Sequence, residues 1–309
     1  MATWKAYDSL FRQAMTDDGS FDPFPYQRQL AQQVDLPAVL RVPTGAGKTA
    51  AVITAWLWRR HTAPEITPRR LVYTLPMRVL VEQTADTARS ILRRLGLLYE
   101  GPPDPAFPGV RVAVLMGGEI DEDWWVEPER ETILVGTLDM LLSRALNRGY
   151  ALSRYRWPVD FGLLNSDALW VFDEVQLLGV GLYTGLQLQA LRRRLGTFGR
   201  THTLWCSATV DPAELHSVDH PAPAAADVLA LGDADRQHQQ LRVRLTARKT
   251  IHELVAPEFQ ENRAPPGRGR RGPGRARCTP AWNADVGRGQ HRGAGPKIAR
   301  GTQAAAVSP

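Results

Sequence analysis

The sequence predicts an α/β fold in which a mostly parallel sheet is covered by helices on both faces. Several apolar runs do not alternate with polar residues, which is typical of strands buried on both sides. Helical patterns follow these runs repeatedly, so strand-helix units recur along the chain. A glycine-containing loop also joins one such run directly to a predicted helix.

Composition indicates a globular protein. The chain has 309 residues, 43% of them hydrophobic, which is enough for a sizeable core. Its two cysteines, Cys206 and Cys278, support neither a disulfide framework nor a cysteine-based zinc site. The N-terminal residues lack a signal-peptide pattern, and no apolar run reaches about 18 residues. We therefore expect a cytoplasmic protein without a membrane partner.

The positive charge is concentrated in one part of the chain. Of the formal net charge of +6, residues 262–309 contribute +9, since they hold ten Lys and Arg and one Asp. Residues 1–261 therefore carry −3. The high isoelectric point does not by itself indicate a nucleic-acid partner for the folded part, so that inference has to come from motifs.

The elements can be read in order along the chain. After a short amphipathic arm, prolines predict an extended approach to a helix that begins near Tyr26. Apolar runs predict strands at 38–40, 70–76, 110–116, 131–136, 168–172 and 201–206. Helices are predicted after residue 49 and at 77–97, 138–146 and 184–195.

The loop after the first strand has the pattern of a phosphate-binding loop. The full G-x-x-x-x-G-K-[ST] pattern fails at its first position, where Val42 stands, but the remainder is intact in a strand-loop-helix context. Glycines let backbone N–H groups approach phosphate oxygens, and the helix N-terminus favours an anion. We predict a triphosphate site formed by Thr44, Gly45, Ala46, Gly47, Lys48 and Thr49. The alternative, a glycine turn that caps an ordinary helix, does not account for Lys-Thr at this spacing.

Two side chains of this loop have expected roles. Lys48 would contact the β- and γ-phosphates as a point charge. The hydroxyl of Thr49 would ligate the Mg²⁺ that bridges them. The predicted cofactors are therefore ATP and Mg.

Two acidic residues follow the apolar run at 168–172. Since ligands bind beyond the carboxyl ends of parallel strands, Asp173 is expected near Lys48 although the two residues are 125 positions apart. Asp173 would hold Mg²⁺, and Glu174 would orient and deprotonate the attacking water. Gln176 would sense the phosphate or couple it to a neighbouring domain. The alternative for the acidic pair is a solvated strand end.

The ordered motifs TGAGKT, LPMR, GTLDM, DEVQ and SAT resemble those of the first RecA-like domain of superfamily 2 helicases of the DExD/H-box type. This resemblance implies a RecA-like P-loop NTPase domain. It also implies that Gln27 reads the adenine edge, with Phe24 or Tyr26 against the ring. Ser207 and Thr209 would couple the nucleotide site to the strand-binding surface.

The same resemblance implies nucleic-acid contacts. Arg78 and the backbone near Thr137 would contact phosphates, since translocases follow the backbone and do not read bases. Two alternatives stay open: Gln27 as a surface helix residue and Arg78 as a helix-surface charge.

Longer phrases resemble the CRISPR-associated helicase-nuclease of type I systems, nearest the I-U subtype, also called I-G. They are TLPMRVLVEQT at 74–84, GGE at 117–119, LDMLLSRAL at 138–146 and WVFDEVQL at 170–177. The similarity covers about residues 20 to 250. It implies recruitment by an RNA-guided CRISPR surveillance complex and ATP-driven translocation on single-stranded DNA in defence against foreign DNA.

Four segments are expected. They are an N-terminal arm at 1–20, a RecA-like ATP-binding domain at 21–215, a linker or start of a second motor domain at 216–261, and a tail at 262–309. The tail holds nine of the 26 glycines and cannot bury enough apolar surface to order itself. We interpret it as out-of-frame sequence from a truncated reading frame; the alternative is a basic nucleic-acid-binding tail.

This interpretation limits the expected activity. The second motor domain, which supplies arginine fingers in the family, and the histidine-aspartate nuclease have no counterpart in the sequence. We therefore expect a chain derived from an ATP hydrolase but impaired in unwinding. Two other functions stay open: a general DExH RNA helicase or restriction-type DNA translocase, and a non-enzymatic module that binds nucleic acid through its basic tail.

Overall fold

The computed structural model describes residues 4–102, 104, 109–117, 119–120, 123–149 and 152–246. The helices are α1 (Tyr7–Met15), α2 (Pro25–Gln32), α3 (Lys48–Thr62), α4 (Arg78–Leu95), α5 (Leu138–Ala145), α6 (Trp157–Asn165), α7 (Val180–Leu195), α8 (Asp233–Gln237) and α9 (Gln239–Thr246). The strands are β1 (Val39–Arg41), β2 (Arg70–Leu75), β3 (Leu98–Tyr99), β4 (Val110–Met116), β5 (Glu119–Ile120), β6 (Thr132–Thr137), β7 (Ala168–Phe172), β8 (Thr201–Ser207) and β9 (Val228–Ala230). The tail predicted at 262–309 lies outside the described residues.

The strands form one sheet in the order β3-β4-β6-β2-β7-β8-β1-β9, and every neighbouring pair along this path is parallel. The short β5 pairs with β4 in the antiparallel direction. All residues of β2 and β7 are buried, which accounts for their unalternated apolar sequences. The predicted, mostly parallel sheet is confirmed.

Helices cover both faces of the sheet. Helices α1 to α4 bury apolar residues such as Phe11 and Trp56 against one face. Residues of α5 to α7 pack on the other face, where the rings of Trp170, Phe172 and Trp205 lie in successive stacks with centroids 5.6 and 4.5 Å apart. Aromatic rings of this size dominate the apolar area that a core removes from water. None of the described helices is long and apolar enough to cross a membrane.

The sequence of α4 predicts an apolar or weakly polar stripe of Leu80, Thr84, Thr87, Ile91 and Leu95. The structure buries Thr84, Ile91 and Leu95 of this stripe, together with Val81, Ala85, Ala88 and Leu92. The small side chains of the two alanines let the helix lie close to α1 and β4.

The described part of the predicted linker, residues 216–246, adds to the same sheet. Strand β9 pairs with β1, the strand that leads into the glycine loop. The carboxylate of Asp235 in α8 accepts a 2.9 Å hydrogen bond from the backbone N–H of Tyr26, and Leu241 of α9 is fully buried in the core. The packing is therefore continuous past residue 215.

Candidate nucleotide-binding site

The loops that follow β1, β7 and β8 lie side by side at the carboxyl ends of these strands. Strand β8 lies between β1 and β7, with Ser207 paired to Arg41 on one side and Trp205 paired to Phe172 on the other. The strand that follows β1 in sequence, β2, lies beyond β7, so the strand order reverses in this region. Crevices for ligands form beyond the carboxyl ends of strands at such a reversal.

The glycine loop leads from β1 into the N-terminus of α3. Gly45 and Gly47 have φ angles of 84° and 85°, a left-handed conformation that glycine adopts without strain. The carbonyl of Ala46 accepts a 2.8 Å hydrogen bond from the hydroxyl of Tyr26. Thr44 and Gly45 are exposed, while Thr49 is half-buried. The hydroxyl of Tyr26 thus anchors the loop on its buried side, and Thr44 and Gly45 are accessible to a ligand.

Lys48 meets the two predicted carboxylates. Its Nζ lies 3.3 Å from Oε1 of Glu174 and 3.5 Å from Oδ1 of Asp173. The lysine side chain is 6% exposed, so water screens these charges weakly. The structure therefore gathers the three residues in one crevice.

Asp173 is oriented by a residue that the sequence interpretation missed. Its Oδ2 accepts a 2.9 Å hydrogen bond from the hydroxyl of Tyr73, and its Oδ1 accepts one of 2.9 Å from the backbone N–H of Glu174. Burial raises the pKa of Asp173, and Lys48 and Tyr73 oppose that rise. Burial also raises the pKa of Tyr73 well above its ordinary value, so the phenol stays a donor. The available signal was a tyrosine near the end of the strand beside β7.

Glu174 has a left-handed backbone with φ of 51°, which is uncommon for a residue other than glycine. Such outliers persist where the surrounding structure holds them and often mark functional sites. Here the turn directs the carboxylate back toward Lys48. Its other oxygen, Oε2, accepts a 2.7 Å hydrogen bond from Nε2 of Gln176.

The hydrogen bonds continue into the next strand end. Oγ of Ser207 donates a 2.7 Å bond to Oε1 of Gln176 and accepts bonds of 3.1 Å from the backbone N–H groups of Thr209 and Val210. We call the series Lys48, Glu174, Gln176 and Ser207 the polar chain. It brings together four predicted site residues, whereas Thr209 joins it through its backbone alone in these contacts.

Gln27 lies behind the loop. Its Oε1 accepts a 2.8 Å hydrogen bond from the backbone N–H of Phe24, and its Nε2 is 3.4 Å from the carbonyl oxygen of Gly47. The side chain of Gln27 is 1% exposed, and the rings of Phe24 and Tyr26 are fully buried. In this structure none of the three residues presents a free polar edge or ring face to a nucleobase.

Arg78 and Thr137 are placed at the carboxyl ends of adjacent strands. Thr137 pairs with Leu75 at the end of β2, and Arg78 is the exposed first residue of the helix that follows β2. Both lie on the far side of β7 from the glycine loop in the sheet order. The two predicted nucleic-acid residues are thus neighbours of each other and separate from the polar chain.

Within the part of the chain that the structure describes, no group of three or more His, Cys, Asp or Glu residues is arranged to hold a metal ion. A divalent cation at Asp173 could take its other ligands from a bound phosphate. That arrangement is usual for Mg²⁺, which is held by one or two protein oxygens together with substrate phosphates.

Comparison with known proteins agrees with the fold and the motifs. The family model described as DEAD/DEAH box helicase matches residues 24–218, more than half of the chain. A comparison with curated proteins gives no match.

Two solved structures share the fold. The DUF1998 helicase MrfA bound to DNA and AMPPNP is 18% identical with a TM-score of 0.52, over 76% of this chain and 30% of that one. The yeast DEAD-box splicing factor Prp28 is 19% identical with a TM-score of 0.50, over 75% of this chain and 52% of that one. The chain thus spans about a third to a half of their lengths and has their RecA-like fold. Because the family model matches more than half of the chain, the chain belongs to the DEAD/DEAH box helicase family.

Proposed function

We propose that the chain binds ATP with Mg²⁺ as the first motor domain of a CRISPR-associated DNA helicase. The observation that carries the nucleotide part is the approach of Lys48 to Asp173 and Glu174 at 3.5 and 3.3 Å, next to a loop with two left-handed glycines. A phosphate-binding loop and an acidic pair at this distance are the two halves of an ATP site.

Nucleotide binding would change the partners of the Lys48 ammonium. In the structure its ammonium balances two carboxylates. A triphosphate offers a higher density of negative charge, and the N–H groups at the start of α3 favour an anion at the same place. Lys48 would contact the β- and γ-phosphates and leave Asp173 and Glu174 free to act.

The oxygen donors present fit Mg²⁺. Asp173 and the hydroxyl of Thr49 are hard oxygen ligands, and Tyr73 fixes the orientation of the carboxylate. When bound, the ion neutralises charge on the β- and γ-phosphates. Asp173 must be ionised for this, and the nearby ammonium of Lys48 favours that form.

Glu174 is the proposed base. Its strained backbone and its bond to Gln176 fix the carboxylate beside the phosphate loop, where it would take a proton from the attacking water. Gln176 and Ser207 would transmit the state of the site to the end of β8, because Ser207 also holds the following backbone at Thr209.

Single-stranded DNA is the proposed substrate for translocation. Arg78 and the backbone near Thr137 would contact its phosphates. Their exposed or half-exposed positions at adjacent strand ends support a shared contact surface. The helicase MrfA, which has the same fold, is described as bound to DNA and AMPPNP. The phrases at 74–84, 138–146 and 170–177 support the type I CRISPR assignment and its RNA-guided partner.

Binding of single-stranded DNA and of RNA of the same sequence tests this part. With a non-hydrolysable ATP analogue present, we expect DNA to bind more tightly. The variant Arg78→Ala is expected to lower the slope of log affinity against log salt by about 0.7, the value for one lost phosphate contact on a single strand. Arg93→Ala, at the opposite end of the same helix, is the control. Tighter binding of RNA would favour a general DExH RNA helicase.

A further inference from the structure

Helix α7 carries apolar side chains on two faces. One face is buried in the core and includes Leu186 and Leu188. On the opposite face, five apolar side chains are each at least 48% exposed: Val180, Tyr183, Leu191, Leu195 and Phe198. A helix that is apolar on more than one face is typical of a helix packed between two partners. The sheet is one partner, and the described part of the chain leaves the second face uncovered.

The exposed apolar residues are spaced like one face of a helix. With the half-buried Gln187 they follow one another at intervals of three, four, four, four and three residues, a mean of about 3.6. We call this set the outer stripe: Val180, Tyr183, Gln187, Leu191, Leu195 and Phe198. The 16 residues of α7 extend it over about 24 Å, at about 1.5 Å per residue.

A second surface helix shows what a solvated face looks like in this chain. Helix α4 has 18 residues, and beyond its first turn all of its exposed residues are charged or polar: Glu82, Gln83, Asp86, Arg93 and Arg94. Contiguous apolar patches are rare on free protein surfaces and mark sites of interaction. The outer stripe of α7 therefore has the character of an interface.

We propose that the outer stripe binds a second copy of this chain, with the two α7 helices side by side and antiparallel. The intervals along the stripe are the same when they are counted from either end. A copy related by a two-fold axis therefore places every member of the stripe opposite another member. The opposed pairs are Val180 with Phe198, Tyr183 with Leu195, and Gln187 with Leu191. A two-fold interface requires a self-complementary patch of this kind.

The charges of α7 favour the antiparallel direction. The helix contains no Asp or Glu, and its three arginines all lie in the last turn. Arg193 and Arg194 are exposed and would face their own counterparts in a parallel pair, which costs free energy. In the antiparallel pair they lie opposite the uncharged Gly185 and Thr184 of the copy. The helix dipoles also oppose each other only in the parallel arrangement.

Two other occupants fit the stripe less well. Residues 262–309 of the chain carry a net charge of +9, which the exposed arginines of α7 would repel. An acidic helix of another protein would match these arginines, but it would make no use of the symmetric spacing. The second copy is therefore the occupant that the residues favour.

The antiparallel pair would leave both nucleotide sites accessible. Helix α7 begins six residues after Glu174, so its first turn lies near the crevice beyond the carboxyl end of β7. The crevices of the two copies would then lie at opposite ends of the shared interface. Pairing through α7 is thus independent of the proposed ATP binding.

Sedimentation equilibrium of the full chain tests the pairing. We expect the mass to rise from one chain to two between about 1 and 200 μM, a range that covers weak association. Leu191→Glu and Leu195→Glu should each raise the dissociation constant about tenfold or more, because the carboxylate would lose its hydration in the interface. The control is Val79→Glu, at an exposed apolar position of α4 on the other face of the sheet. It should change the constant by less than about twofold.

Chemical cross-linking tests the direction and register. One preparation carries Tyr183→Cys and another carries Leu195→Cys, both with Cys278→Ser; Cys206 is buried. A short bis-maleimide should join chains when the two preparations are mixed. It should not join chains within either preparation alone, because like positions of the antiparallel pair are about 18 Å apart along the axis.

Four results would overturn the inference. A mass of one chain over the whole concentration range would mean that the stripe serves another partner. A dissociation constant unchanged in both glutamate variants would mean that the copies associate through a different surface. Cross-links within either preparation alone would contradict the antiparallel direction, and their absence from the mixture would contradict the register.

Discussion

Nζ of Lys48 lies 3.3 Å from Oε1 of Glu174, although 126 positions separate the two residues in the sequence. The glutamate therefore competes with any phosphate for this ammonium. Glu174→Gln keeps the size of the side chain and removes its charge. We expect ATP affinity to rise about two- to tenfold, because a carboxylate no longer faces the γ-phosphate.

Isothermal titration with ATP measures this effect, and Glu82→Gln, at an exposed position of α4, is the control. A weaker affinity in Glu174→Gln would mean that the carboxylate helps to bind the nucleotide and does not oppose it. That result would contradict the proposed competition between Glu174 and phosphate for the Lys48 ammonium.

The hydroxyl of Tyr73 stabilises the ionised form of Asp173 through a 2.9 Å bond. Burial already raises the pKa of Asp173, so Mg²⁺-dependent ATP binding should weaken as the pH falls through a value above that of an ordinary Asp. Tyr73→Phe removes a donor to the carboxylate and raises this pKa further. The acid side of the binding profile should therefore move to higher pH.

Titrations with ATP and Mg²⁺ across a pH series locate the midpoint, and Tyr155→Phe, whose side chain is almost fully exposed, is the control. A midpoint that stays in place or moves to lower pH in Tyr73→Phe would show that this hydroxyl does not govern the ionisation of Asp173.

Ser207 links two loops through its side chain. Its oxygen accepts from the backbone N–H groups of Thr209 and Val210 and donates to Gln176. Ser207→Ala leaves these N–H groups without that acceptor, and the free energy of unfolding should fall by about 1–3 kcal/mol. Urea denaturation measures the loss. Thr209→Ala, at an exposed side chain, should change it by less than about 0.5 kcal/mol. Equal effects of the two changes would contradict the proposed role of the Ser207 hydroxyl in holding the two loops together.

The central site could be predicted because its signals are local. The predicted strand at 168–172 has the same bounds as β7. An unalternated run of five apolar residues is typical of a strand that is buried on both faces. The proximity of Lys48 and Asp173 is predictable because both residues follow the carboxyl ends of parallel strands. Helix α3 begins at Lys48, two residues before the start that the sequence predicts.

Other features depend on contacts between distant residues. The pairing of β9 with β1 has no short motif, because a three-residue strand is specified mainly by its partner. The buried ion pair between Nη1 of Arg144 and Oδ2 of Asp160, 2.5 Å apart, likewise has no sequence motif that predicts it. The position of Gln27 behind the loop depends on the backbone of Phe24, and motif spacing does not encode that.

The most direct test is ATP affinity in Lys48→Ala, measured by titration with Mg²⁺ present. Lys5→Ala, an exposed lysine far from the loop in sequence, is the control. We expect loss of the Lys48 ammonium to lower ATP affinity about ten- to hundredfold, the range for a charge-assisted hydrogen bond to phosphate. An unchanged affinity would contradict the assignment of this crevice as the ATP site.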